Sequence, residues 1–150
     1  MLEGNVYLKS NLEGMTNDEL ILYIYQEMLR ILNQTLFYFE KNDIENRVSG
    51  INKAIEVLHS LMSILNFEAG GEIAVRLRSL YLYSIKKLTA ANFDRDPKPV
   101  DEVIRIFREL YSGWAQKIEN DKKSNAVRSP LSVSVNGPEV QSLKGLEIYG

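Results

Sequence analysis

The sequence contains no cysteine, which excludes disulfides, thiol catalysis and cysteine-ligated metal sites. Its one histidine, His59, has no partner at the spacing of a catalytic triad and cannot supply the paired Glu-x-x-His motifs of a di-iron bundle. No window approaches the roughly 20 apolar residues that a membrane-spanning helix needs. Since the first ten residues also lack the basic-then-apolar pattern of a secretory signal, we expect a cytoplasmic protein without membrane insertion.

An excess of charge of one sign is also missing. The 18 basic and 20 acidic residues give a formal net charge of −2, so the basic surface of a nucleic-acid-binding protein is not expected. The acidic residues between Asp94 and Glu102 do not have the spacing of a calcium-binding EF-hand loop. The Gly70-Gly71 pair lacks the flanking residues of a phosphate-binding loop. We therefore expect no catalytic residues, no metal and no cofactor.

Helix signals dominate the rest of the chain, whose 150 residues suffice for one domain with a modest core. Thr16-Asn17-Asp18-Glu19 matches a capping box, and Asp43 is a suitable N-cap residue for a second helix. Two prolines, Pro97 and Pro99, mark a loop before the last helix. We expect four helices, at about 17–41, 44–66, 72–92 and 100–120.

The short connections between these helices favour an antiparallel up-down four-helix bundle, and thus an all-α fold, over residues 16–120. Residues 1–15 have little helical pattern but several apolar side chains, and we expect them to form an N-terminal capping arm. From residue 121 the chain is rich in Ser, Asn, Gly, Pro and Lys, which is typical of a flexible tail over 121–150.

The apolar residues of two helices exceed what one core-facing stripe needs. In the first helix they cover an arc of about 200°, so this helix must contact two neighbours or leave apolar surface open. The third helix has a core stripe about 140° wide. Its expected members are Ile73, Ala74, Leu77, Leu80, Tyr81, Ile85, Leu88 and Ala91. Val75 and Leu82 lie outside this stripe, seven residues apart, between Arg78 and Lys86.

Val57 and Ile64 lie beside the core stripe of the second helix, also seven residues apart. In an antiparallel hairpin Val57 would face Leu82, and Ile64 would face Val75. One interpretation is that all four are flanking positions of a wide helix–helix contact. The other is that they form an apolar groove for an amphipathic partner helix.

The order and spacing of several short motifs over about residues 6–118 resemble the flagellar secretion chaperones of the FliS type. The matching stretches are Val6-Tyr7, Ile24-Tyr25, Asn52-Lys53-Ala54, Glu68-x-Gly70-Gly71-Glu72-Ile73-Ala74, Leu80-Tyr81-x-Tyr83, Ala91-Asn92 and Trp114. Asn17 replaces the family's usual proline, and Gln26-Glu27-Met28 replaces its usual Asp-Gly-Ala.

This resemblance implies a cytoplasmic four-helix bundle that binds the disordered C-terminal region of flagellin and prevents its premature polymerisation. It also implies that the arm around Tyr7 covers an apolar pocket and gives way to the client. The candidate partner-binding residues are Val57, Ile64, Val75, Leu82, Tyr7, Tyr25 and Tyr81.

Two further partners are left open at this point, the flagellar export apparatus and a second copy of the chain. A self-associating helical adaptor that pairs through the same outer stripe is the alternative function.

Overall fold

A computed structural model describes residues 14–124, which contain helices and no strands. The helices are α1 (Asn17–Glu40), α2 (Ile44–Ser63), the short α3 (Phe67–Gly70), α4 (Glu72–Asp94) and α5 (Lys98–Ser124). The all-helical fold is thus confirmed. Residues 1–13 of the predicted arm, and the predicted tail from residue 125, lie outside the described residues. None of the described helices is both long enough and apolar enough to span a bilayer.

The two predicted helix starts are present. The Thr16 hydroxyl oxygen accepts a hydrogen bond from the Glu19 amide at 3.1 Å, and the Asp43 carboxylate accepts one from the Asn46 amide at 3.3 Å. The Glu19 carboxylate accepts from the Thr16 hydroxyl at 3.0 Å. The side chains of Thr16 and Asp43 therefore each satisfy an amide of the first turn that has no partner within the helix.

Helix ends differ from the sequence expectation at two connections. The second helix stops at Ser63, and α3 follows before Gly71, which adopts a φ of +51° that suits glycine. At the other connection, α5 begins at Lys98 with Pro99 in its first turn, where a missing amide hydrogen costs nothing. The expected proline-rich loop is therefore shorter, and α5 also continues past residue 120 to Ser124.

Each long helix packs against two others. The first helix, α1, contacts α2 and α5, and α4 contacts the same two helices from the other side. This pattern explains the wide apolar arc of α1, because two neighbours cover it. The short α3 packs on α4. The largest fully buried side chains of the core are Tyr25, Tyr81, Phe107, Leu20, Ile21, Met28, Leu32, Ile51, Leu58, Leu61, Leu88 and Val100.

Candidate partner-binding surface

The outer side of α4 carries a row of exposed apolar side chains. Val75 is 47% exposed and Leu82 is 50% exposed, as their positions outside the core stripe predicted. Phe93, in the last turn of α4, is 86% exposed and lies on the same side as Leu82, because the eleven residues between them complete just over three helical turns. We call Val75, Leu82 and Phe93 the outer α4 row. Sequence reasoning missed Phe93 because it assigned this residue to a loop, although the eleven-residue spacing was available as a signal.

The charged side chains along the middle of this row are basic. Between Ile73 and Phe93, α4 contains four lysines and arginines and no acidic residue, and the acidic residues Glu72 and Asp94 border this stretch. Arg78 lies with its guanidinium 5.8 Å from the ring centroid of Phe67 on α3. An apolar row with positive charge beside it is complementary to an amphipathic segment whose polar face is acidic.

Val57 and Ile64 do not lie on this surface, so the predicted four-residue groove is wrong in half of its members. Val57 is 2% exposed and Ile64 is 3% exposed, and both belong to the central apolar cluster. The physical reason is that α2 packs against both α1 and α4, so its buried arc is wider than one stripe and includes these flanking positions. For Val57 and Ile64 the interpretation as flanking positions of a helix–helix contact is therefore correct.

Tyr25 and Tyr81 are buried completely and cannot reach a partner from where they lie, which corrects their assignment as contact residues. Their hydroxyl oxygens are 2.6 Å apart, so each hydroxyl has its hydrogen-bond partner inside the protein. Phe107 packs edge-on against the Tyr25 ring at 5.5 Å and is stacked on the Tyr81 ring at 6.3 Å. Burial raises the pKa of both hydroxyls well above the ordinary value. The third candidate tyrosine, Tyr7, lies outside the described residues.

The core face of α4 differs from the sequence prediction at two positions. Ile73, expected in the core stripe, is 49% exposed because it lies in the first turn of α4, at one end of the helix. Ser84 is buried instead, and its hydroxyl donates to the Leu80 carbonyl oxygen at 2.8 Å. This internal hydrogen bond satisfies the hydroxyl, so a serine can occupy a core position here.

Two polar clusters attach α5 to its neighbours. The Tyr83 hydroxyl donates a hydrogen bond to the Glu102 carboxylate, and Lys87 lies 3.3 Å from the same carboxylate. The hydrogen bond from Tyr83 is the main cause that lowers the pKa of Glu102.

The second cluster is centred on the Lys117 ammonium, which lies 3.0 Å from Asp18 at the start of α1 and 2.8 Å from Asp121. Partial burial disfavours the charged form of Lys117 and by itself would lower its pKa. The hydrogen bonds to Asp121 and Asp18 outweigh this effect and raise the pKa of Lys117.

The described residues contain no group of three histidine, aspartate or glutamate side chains that could hold a metal ion. His59 is exposed on α2.

Comparison with known proteins gives a consistent result. A family model described as the flagellar protein FliS matches residues 3–122. The flagellar secretion chaperone FliS of Vibrio cholerae is 31% identical over 74% of this chain and 82% of its own. The flagellar secretion chaperone FliSB of Pseudomonas aeruginosa is 34% identical over 72% of this chain and 89% of its own. The FliS of Campylobacter jejuni is 28% identical, over 80% of this chain and 94% of its own length.

Proposed function

The chain belongs to the FliS family of flagellar secretion chaperones, and we propose that it binds the C-terminal region of flagellin in the cytoplasm before export. On this proposal it acts without catalysis, by covering a segment of flagellin that would otherwise polymerise early. The observation that carries the proposal is the outer α4 row in a chain of this family. Exposed apolar side chains aligned on one side of a helix are typical of a surface that another molecule covers.

The outer α4 row contains the seven-residue spacing at which an amphipathic helix presents its apolar anchors. Val75 and Leu82 are two helical turns apart on one line, and both are about half exposed. Covering them together with Phe93 would contribute about 3–4 kcal/mol before the costs of association and client ordering are subtracted. The basic flank of α4 would pair with acidic residues on the polar face of the client helix.

We also propose that the four long helices form an antiparallel up-down bundle. The pairing of Asp18, at the start of α1, with Lys117, near the end of α5, supports opposite directions for these two helices. The connections of Lys41–Asp43 and of Arg95–Pro97 are too short for parallel neighbours. In this arrangement α1 and α4 lie diagonally opposite each other, and α2 and α5 each contact both of them.

A substitution in the outer α4 row tests the client site. Replacement Leu82→Asp puts a charge where an apolar contact is proposed, and it should weaken binding of a flagellin C-terminal segment at least tenfold, because apolar burial is lost and the carboxylate must be desolvated. Calorimetric titration of the purified chain measures the affinity. Far-ultraviolet circular dichroism checks that the variant remains helical.

The matched control is Ile73→Asp. Ile73 is 49% exposed, and it lies in the first turn of α4 on the side away from Val75, where a negative charge favours the helix. Client affinity should stay within about twofold of the unmodified chain. Unchanged affinity of a folded Leu82→Asp variant would overturn the proposed site. If sedimentation shows a tight dimer whose association does not change when the flagellin segment is added, a self-associating adaptor is favoured instead.

A further inference from the structure

A cleft of about 580 Å³ lies at one end of the described structure, where α1 connects to α2 and α4 connects to α5. Its apolar walls include Leu36 and Phe39 from the last turns of α1, Ile44 at the start of α2, and Pro97 before α5. The volume lies in the range that accommodates a large side chain or a small ligand. We call it the bundle-end cleft.

Arg47 is the residue that decides which kind of group the bundle-end cleft can bind. It is the one charged residue within 14–124 that is buried, with 9% of its surface exposed, and it lines the cleft. Its guanidinium lies 5.3 Å from the ring centroid of Phe39, and its buried Nε has no hydrogen-bond partner among the described residues. A buried donor without a partner is costly, so an acceptor that entered the cleft would gain more than one at the surface.

The other charged groups of the cleft favour an anion. Arg95, in the connection between α4 and α5, also lines the cleft, and Glu40 is the acidic residue of the lining. Two guanidinium groups against one carboxylate leave a net positive charge. Guanidinium groups bind carboxylates with paired, charge-assisted hydrogen bonds, which a carbonyl oxygen or a hydroxyl does not match.

Exposed apolar surface continues beyond the cleft. Phe37, in the last turn of α1, is 51% exposed. Ile44, in the wall itself, is 56% exposed. A small ligand inside the cleft would leave these side chains in water, whereas a polypeptide segment can cover them together.

We propose that the bundle-end cleft binds a segment of a partner protein in which a large apolar side chain lies next to a carboxylate. The apolar side chain enters between Leu36, Phe39 and Ile44, and the carboxylate pairs with Arg47 and Arg95. Neither Val75 nor Leu82 lines this cleft, so the inference does not depend on the proposed flagellin site.

Two blocked fluorescent peptides test this inference on the full chain. One has a central Asp-Phe-Asp in a background of Ser and Gln, and the other has Asn-Phe-Asn, which keeps the shape and removes the charge. Fluorescence anisotropy should show about tenfold tighter binding of the Asp peptide, the difference expected for charge-assisted hydrogen bonds. Amide chemical shifts should change at Asn42, Ile44 and Arg95 and not at Val75 or Leu82.

The variants separate the cleft from general electrostatics. Arg47→Met keeps an apolar stem, and it should weaken the Asp peptide about tenfold and abolish the preference over the Asn peptide. Lys41→Met removes a positive charge from the α1–α2 connection without changing the cleft lining, and should leave both affinities unchanged. If Arg47→Met does not fold, Arg95→Asn takes its place, since asparagine tolerates the φ of 55° found there.

Three outcomes would overturn the inference. They are equal affinity for the two peptides, chemical-shift changes confined to the outer α4 row, and no saturable binding at millimolar peptide. An effect of Lys41→Met as large as that of Arg47→Met would equally contradict it, because attraction would then come from the net charge of this end of the protein.

Discussion

The hydroxyl oxygens of Tyr25 and Tyr81 lie 2.6 Å apart in the core, and they join α1 to α4, two helices that share neighbours. Because both tyrosines are completely buried, no solvent is available to replace either partner. The pair therefore couples two helices through one hydrogen bond whose loss leaves a polar group unsatisfied.

Removal of one hydroxyl of this pair should cost more than removal of both. Tyr81→Phe leaves the Tyr25 hydroxyl buried and unpaired, and should lower the free energy of unfolding by about 1–3 kcal/mol. The double variant Tyr25→Phe/Tyr81→Phe removes both polar groups and should be closer to the unmodified chain. Urea denaturation of the two single variants and the double variant gives the coupling energy. Additive losses would contradict the proposed pairing.

Alkaline pH should destabilise the protein through the same pair. Burial raises the pKa of both hydroxyls, so the folded state keeps them protonated while the unfolded chain ionises near the ordinary pKa of 10.0. Their contribution to stability is therefore complete below about pH 10 and is lost as the pH rises further. Denaturation midpoints measured between pH 8 and 11.5 should fall less steeply for Tyr25→Phe/Tyr81→Phe. Parallel curves for the two proteins would contradict this origin of the pH dependence.

Acidic pH acts on a different contact, the one between Tyr83 and Glu102. The hydrogen bond from Tyr83 lowers the pKa of Glu102. The contribution of this hydrogen bond to stability is therefore present above the ordinary carboxyl pKa of 4.5, and it is lost as the pH falls through the lowered pKa of Glu102. Tyr83→Phe should move the pKa of Glu102 upward in a carboxyl-detected nuclear magnetic resonance titration. Arg105→Gln is the control and should move it less, since Arg105 acts only through its charge.

Two glycines in helices should respond to alanine in opposite ways. A Cβ added at Gly50 of α2 would lie 2.3 Å from the Thr35 hydroxyl oxygen, so Gly50→Ala should destabilise by about 1–3 kcal/mol. Gly113 of α5 has no atom within 4 Å of that position, and Gly113→Ala should stabilise by about 0.5–1 kcal/mol. Chemical denaturation measures both. Thr35→Ala should partly rescue Gly50→Ala, and its failure to do so would place the clash elsewhere.

Deletion of residues 1–12 tests the expected competition between the arm around Tyr7 and the client. The capping box begins at Thr16, so the deletion leaves every described helix intact and the chain should fold. If the arm occupies the client site, its removal should leave the affinity for the flagellin segment equal or higher. Calorimetry on the deleted and full chains makes the comparison. Weaker binding after deletion would show that the arm helps to hold the client.

Much of the fold could be predicted from local chemistry. Capping by Thr16 and Asp43 depends on residues within one turn, and the wide apolar arc of α1 predicted either two neighbours or open apolar surface, of which the structure shows two neighbours. Gly71, with its positive φ, lies in the gap between the helices expected at 44–66 and 72–92. These features are visible in sequence because each depends on contacts inside one helix or on the total apolar area of one helix.

The candidate surface could be predicted only in part. Val75 and Leu82 are exposed as expected, but the similar periodicity of Val57 and Ile64 gives the opposite result because α2 has two packed neighbours. The angular position of a residue around one helix does not show how much of that helix a second packed neighbour covers. Arg47 was missed for a related reason, since it lies within the apolar stripe of α2, where a charged side chain was not expected to be buried.

The contact between Tyr25 and Phe107, at 5.5 Å, also has a consequence for synthesis of the chain. The ribosome makes α1 first and α5 last, and it adds about 5–20 residues per second, so roughly 4–16 s separate the two aromatic rings. During that interval one face of α1 has no covering helix. A nascent chain interrupted within α4 would therefore expose an aromatic core face and become a substrate for quality control.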